Sequence, residues 1–265
     1  MFLSLMQNEW TKAYYRNKFL IFSIVMVALL FVGVAGTLFF QNFDFGDDIP
    51  AIQVEPVGFA VGAVDTLFVF VLIFSIVMLI SGIATEYKSG TMKQLLIRPI
   101  SRTQILLSKW VTIYLVTIGI FVGIAILSLL IGYVFFDSNT AFGESVSTLF
   151  QLILYRLPML FFYQVLALLL AILTRSTALA LSPILILHFT GSIVMVFLER
   201  FEWSKFIIIP NLNLLYYSSN ELIQYPGGPY SDGMTLGFSL AVIAVYSIIL
   251  LVIAHLVFKK KDVLS

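Results

Sequence analysis

Residues 61–85 read "VGAVDTLFVFVLIFSIVMLISGIAT", and residues 86–110 continue "EYKSGTMKQLLIRPISRTQILLSKW". The first stretch exceeds the roughly 20 apolar residues a helix needs to cross about 30 Å of hydrocarbon. The second is polar, basic and broken by proline, and another long apolar run follows it. This alternation decides the fold class: an all-α membrane protein whose polar segments lie between crossings.

Composition agrees. The chain has 265 residues, 60% of them hydrophobic, with 25 Phe and only 11% charged residues, and a mean hydropathy of +1.04. A soluble domain of this size with so few charges would expose too much apolar surface. The absence of cysteine excludes disulfides, thiolate metal sites and a cysteine nucleophile. Residues 1–18 are amphipathic, and the apolar run after them is too long for the core of a cleavable signal peptide. No internal repeat or low-complexity segment divides the chain, so residues 1–265 are expected to form one transmembrane domain.

Six spans are expected, at 19–40, 61–85, 105–136, 149–173, 177–198 and 234–258. Arg156 and Pro158 make the start of the fourth ambiguous, and a short outer helix before a span starting near Pro158 also fits. An even number of spans puts both termini on one side. Twelve of the fifteen basic residues then fall on that side, and only Arg156, Arg200 and Lys205 on the other. The positive-inside bias places the termini and the 86–109 connection in the cytoplasm of a multi-pass plasma-membrane protein. In residues 1–18, Leu3, Met6, Trp10 and Ala13/Tyr14 share a helical face, with Lys12, Arg16 and Lys18 leading into the first span. This pattern suits a helix lying in the inner interface.

A loop that only reversed the chain could be as short as residues 174–177, "TRST". Residues 86–103 instead carry a short amphipathic helix, with Met92, Leu95, Leu96 and Ile100 beside Lys88, Lys93 and Arg98. Pro99 stops it, and Ser101 is placed to cap the next helix. Glu86, at the base of the second span, is placed to pair with Arg98 or Arg102 and stiffen the hairpin.

At Glu86, Gly90-Thr91, Leu95-Leu96, Pro99, Ser101-Arg102 and Lys109 the chain resembles the permease subunits of ABC-2-type ATP-binding-cassette exporters. Small Gram-positive permeases for antimicrobial-peptide resistance and peptide export are similar in size and texture. The resemblance implies that Glu86, Tyr87, Lys88, Ser89, Gly90, Thr91, Lys93, Leu95, Leu96, Arg98, Pro99, Ser101 and Arg102 form a coupling segment that docks on an ATPase. It further implies two ATPase subunits that bind ATP and Mg, and a second permease, identical or related, with this chain not itself an enzyme. No G-x-x-x-x-G-K-[ST] sequence occurs, so the chain lacks that phosphate cradle and an ATPase would act in trans. An amphipathic peptide or lipid-like cargo suits the apolar, Phe-rich spans.

Other residues are candidates on their own chemistry. Asp65, near the start of the second span, and His188, midway along the fifth, are intramembrane ionisable groups, which by default suggest a substrate or ion path. For His188 a neutral imidazole hydrogen-bonded to another span is the plainer expectation, and His255 reads as an interfacial anchor. Gly119 and Gly123 form a G-x-x-x-G that permits close helix approach, by default within the subunit. Residues 199–233 are too apolar for a free loop and are read as re-entrant helices before the last span, with Tyr216 and Tyr217 at the interface. Neither H-E-x-x-H nor G-x-S-x-G occurs, which leaves no motif for metal-assisted or serine hydrolysis. An ion-coupled secondary transporter and a non-transporting membrane scaffold or sensor are the alternatives.

Overall fold

The computed structural model describes residues 2–15, 17–42, 54–90, 101–198, 200–231 and 233–260, with the side chains of Ala13 and Arg102 left aside. All regular structure among these residues is helical. Six helices are long and apolar enough to cross a membrane.

The first helix, α1 (Phe2–Tyr15), ends just before Asn17, whose φ of 53° lies in the left-handed region that asparagine tolerates. That elbow delivers the chain into α2 (Lys18–Asn42). Helix α3 (Pro56–Lys88) begins with proline, whose missing N–H costs nothing in a first turn. Helix α4 (Arg102–Phe135) is capped by Ser101, whose side chain accepts a hydrogen bond from the Gln104 amide at 3.3 Å. Helix α5 (Phe142–Thr174) stops at Arg175, in the left-handed conformation at φ 54°. Helix α6 (Thr177–Leu198) follows at once. A 3-10 turn (Glu202–Phe206), the one-turn helix α7 (Ile208–Leu212) and a second 3-10 turn (Leu214–Tyr217) lead to α8 (Leu236–Lys260).

Helix α3 is the axis of the bundle, packed against α4 and α5; α5 in turn holds α6 and α8, and α1 lies across α4. Burial follows that order. Along their most apolar stretches α3 and α5 are 61% and 56% buried, whereas α2, α6 and α8 are each only 17% buried. The last three are edge helices whose outer faces present Leu, Ile, Val and Phe to the surroundings. Helices α3 and α4 approach closely at Gly132, where a Cβ would stand 2.8 Å from the Pro56 carbonyl oxygen.

The expected fourth span, 149–173, lies within a longer helix. Helix α5 starts at Phe142, earlier than residue 149, and runs unbroken through Pro158, so there is no separate short helix before a span at that proline. Arg156 is the fifteenth residue of this helix. It is tolerated there because Asp65 of α3 accepts a hydrogen bond from its guanidinium and its Cζ lies 5.1 Å from the centroid of the Phe68 ring. In the connection before α8, Asn211 is fully buried. Its side-chain amide donates to the carbonyls of Lys205 and Ile207 at 2.8 and 2.6 Å. Ser239 of α8 donates to Asn211 at 2.8 Å and meets the Tyr217 hydroxyl at 2.9 Å. This polar lock satisfies the irregular backbone and pins the short helices to α8.

Candidate functional site

The end of the bundle that carries α1 also carries the last turn of α3, the first turns of α4, the turn between α5 and α6, and the C-terminal part of α8. Contacts between side chains establish this grouping. Lys12 of α1 reaches Glu86 of α3, the Arg175 guanidinium lies 5.0 Å from the centroid of the Tyr87 ring, and Thr103 Oγ1 is 3.1 Å from His255 Nδ1.

Its centre is a ring of four charges on three helices. Lys109 of α4, only 4% exposed, donates to Glu86 Oε1 at 2.5 Å and to Glu9 Oε1 at 2.8 Å. Lys12 donates to the same two oxygens, at 3.0 Å to Glu9 and 3.3 Å to Glu86. Among the described residues the cluster holds two carboxylates and two ammonium groups. Burial pushes the Glu9 carboxyl up, but the ammonium groups of Lys109 and Lys12 together hold it below its ordinary value. Burial likewise pushes the Lys12 ammonium down, and Glu9 with Glu86 more than reverses this, leaving it raised. Such a cluster adds little net stability over apolar packing, yet removing one member leaves a desolvated charge behind. It therefore ties α1, α3 and α4 to one another.

The expected coupling residues lie around this unit. Glu86, Tyr87 and Lys88 form the last turn of α3, and Ser89 caps it, its hydroxyl donating to the Thr85 carbonyl at 2.9 Å. Gly90 turns the chain with φ +70°, a conformation L side chains rarely adopt. Thr91, Lys93, Leu95, Leu96, Arg98 and Pro99 lie outside the described residues. The chain resumes at Ser101 and Arg102, at the head of α4. Glu86 thus contacts Lys109 and Lys12, partners that the sequence reading did not assign to it, while Arg98 and the Arg102 side chain are outside the described set. Glu9 was also missed. Its signal was available: with Glu86 and Asp262 it is one of only three acids on the strongly basic side of the chain.

The two path candidates, Asp65 and His188, do not converge on each other. Asp65 is held by Arg156, and His188 Nδ1 lies 3.3 Å from the Tyr163 hydroxyl. Both partners belong to α5, two turns apart, so α5 neutralises or hydrogen-bonds a polar group from each neighbour. A third such tie joins Gln164 of α5 to Ser75 of α3 at 2.7 Å, both fully buried. Among the described residues Gly119 and Gly123 serve no close helix contact, since a Cβ on either would meet nothing within 4 Å.

Comparison with known proteins places the chain in a family. Residues 47–264 match the family described as "Protein of unknown function (DUF2705)". The "Uncharacterized protein YhcI" of Bacillus subtilis (strain 168) is 29% identical over 207 residues, 72% of this chain but only 64% of YhcI. The "Uncharacterized membrane protein YdbK" of the same organism is 27% identical over 197 residues, covering 71% of this chain and 76% of YdbK.

Proposed function

This chain belongs to the DUF2705 family and is a multi-pass membrane protein, and we propose that it is the membrane-spanning subunit of an ATP-driven exporter. In this reading the end bearing α1 and the 86–101 connection faces the cytoplasm, as the basic bias of that end favours. Helix α1 lies in the inner interface. Separate ATPase subunits bind the 86–102 segment, and a second permease completes the pathway. Closure of the ATPases pushes the segment, and the spans shift to release an amphipathic peptide or lipid-like cargo outward.

The observation that carries this reading is the ring of Glu9, Lys12, Glu86 and Lys109 at the root of the segment, with Glu86 and Lys109 buried. A push on a loose loop would be absorbed by the loop. A push on a segment rooted in three cross-tied helices is passed to α3, the most buried helix of the bundle, and from there to α5. The test is purification of the tagged chain from its host membranes in mild detergent, with mass spectrometry of whatever co-elutes. A P-loop ATPase in equal proportion, lost when Gly90 and Arg98 are both substituted, supports the reading. A chain that elutes alone and transports without nucleotide overturns it.

The ionisable groups Asp65, Arg156 and His188, on three different helices, favour a second reading, an ion-coupled secondary transporter. Uptake or efflux in sealed vesicles driven by a pH gradient, with no nucleotide present, would select it.

A further inference from the structure

The two central helices each carry a single charge along their apolar stretch. Asp65 is the only Asp, Glu, Lys or Arg between Pro56 and Thr85 of α3, and Arg156 the only one between Ser145 and Thr174 of α5. Their depths agree. Asp65 precedes Thr85 by 20 residues and Arg156 precedes Thr174 by 18, about 30 and 27 Å at about 1.5 Å per residue. Thr85 and Thr174 stand at the end of the bundle that carries α1, next to Glu86 and Arg175. A hydrocarbon core is about 30 Å thick. The pair therefore lies at the opposite boundary of that core, level with the ester and phosphate groups of the lipids there.

The two partners are unequally placed. The Arg156 side chain is 12% exposed and that of Asp65 41%. Gly62, Thr66 and Phe70, which lie to one side of Asp65 around α3, are exposed as well. The carboxylate thus stands at an open flank of the bundle, with the guanidinium behind it. One hydrogen bond joins them, from Arg156 Nη2 to Asp65 Oδ1. Arg156 Nε, on the same edge of the guanidinium, is buried and has no hydrogen-bond partner among the described residues. Such an edge offers two parallel donors, matched to two oxygens of a phosphate or carboxylate. Here one donor is used and the other is left over, although buried donors are nearly always satisfied. We propose that Arg156 is an oxyanion site for the phosphate of a membrane phospholipid. The phosphate takes the Nε–Nη2 edge, and Asp65 is a built-in competitor that turns outward as the lipid enters. A cation drawn to Asp65 would leave Nε as it is, whereas a two-oxygen anion satisfies it. The site rests on this pair and its depth, and does not depend on the transport reading.

The experiment is thermal unfolding of the full chain in a non-ionic detergent, titrated with dihexanoyl phosphatidic acid, inorganic phosphate or decyltrimethylammonium. The phosphatidic acid is expected to stabilise the native chain saturably. In Asp65→Asn the competitor is gone, so the half-saturating concentration should fall about tenfold, and the lipid should restore stability that the substitution removes. Arg156→Lys keeps a positive charge for Asp65 but loses the two-donor edge, and should bind about tenfold more weakly. Asp65→Asn/Arg156→Gln leaves neither charge unpaired and should show no saturable effect, which tests the site even where a single Arg156 variant does not insert. Equal stabilisation of all these chains overturns the proposal. So does stabilisation by decyltrimethylammonium that disappears in Asp65→Asn, which would make Asp65 a cation site. Inorganic phosphate acting at the same concentrations as the lipid would put a free anion at Arg156 and overturn the lipid assignment. No effect of either phosphate on Asp65→Asn would leave Arg156 with the ion pair alone, and overturns the site.

Discussion

Lys109 Nζ stands 2.5 Å from Glu86 Oε1, and this single contact closes the α3–α4 hairpin at its root across the whole 86–109 connection. Both residues are almost inaccessible, at 4% and 8% exposure. Because each charge is desolvated, the pair constrains the hairpin through the penalty of breaking it rather than through its net attraction.

Removal of one partner should therefore cost more than removal of both. Lys109→Ala is expected to destabilise the chain by about 3 kcal/mol, the lower end for breaking a buried pair. Glu86→Ala/Lys109→Ala should fall well short of the sum of the single changes in thermal unfolding in detergent. Additive losses would mean that the two side chains are not coupled.

The docking of α1 should depend on pH at two edges. Glu9 is held below its ordinary value of 4.5, so its contribution is complete above that pH and is lost as pH falls through the depressed value. Lys12 is raised above 10.5, so its contribution is complete below that pH and is lost as pH rises through the raised value. Trp10 fluorescence in a Trp110→Phe/Trp203→Phe background should be flat between these limits and change outside them. A transition near neutral pH would contradict the assignment.

Interference at the root should separate ATP hydrolysis from transport. Glu86→Lys reverses a charge in the ring, and Gly90→Pro removes the φ of +70° that the turn adopts. Reconstituted with the partner ATPase, each variant is expected to insert and to permit ATP hydrolysis without export. Normal export by both would remove the lever from the mechanism.

Asp65→Asn should lower the yield of folded protein by size-exclusion chromatography, because Arg156, largely buried, loses its counter-charge. Asp65→Asn/Arg156→Gln should recover much of that yield. If export is lost in both while folding is normal in both, Asp65 acts on cargo rather than on α5.

Two glycines of the same helix should respond with opposite severity. Gly132→Ala places a Cβ 2.8 Å from the Pro56 carbonyl oxygen, so backbone must move, at a cost of about 1–3 kcal/mol. Gly123→Ala meets nothing within 4 Å and should be neutral or slightly stabilising, since alanine is the better helix former by about 1 kcal/mol. Thermal unfolding of the two variants side by side checks this.

Much of this architecture was legible beforehand because hydrophobicity over a window of 20 residues is a property of the chain alone. The six apolar helices and the sharing of one end by the two termini follow from it. The expected fourth span, 149–173, lies within α5, and only its start was ambiguous, because a charge at Arg156 looks costly until its partner is known. Its counter-charge, Asp65, lies 91 residues away. Glu9 was missed for the same reason, since its partner Lys109 is 100 residues distant.

The sequence by itself determined that this is a helical membrane protein, where its spans run, and that a polar, proline-broken segment interrupts them. These depend on local composition and on the rule that backbone polar groups within a bilayer must be satisfied inside each helix. Only the tertiary structure decided which polar groups meet: Lys109 and Lys12 with Glu86 and Glu9, Arg156 with Asp65, Tyr163 with His188. It alone also decided that Gly132 closes a helix contact while Gly119 and Gly123 leave a groove open. Pairing and space depend on how helices rotate against one another, and that rotation is set by the packing of all of them together.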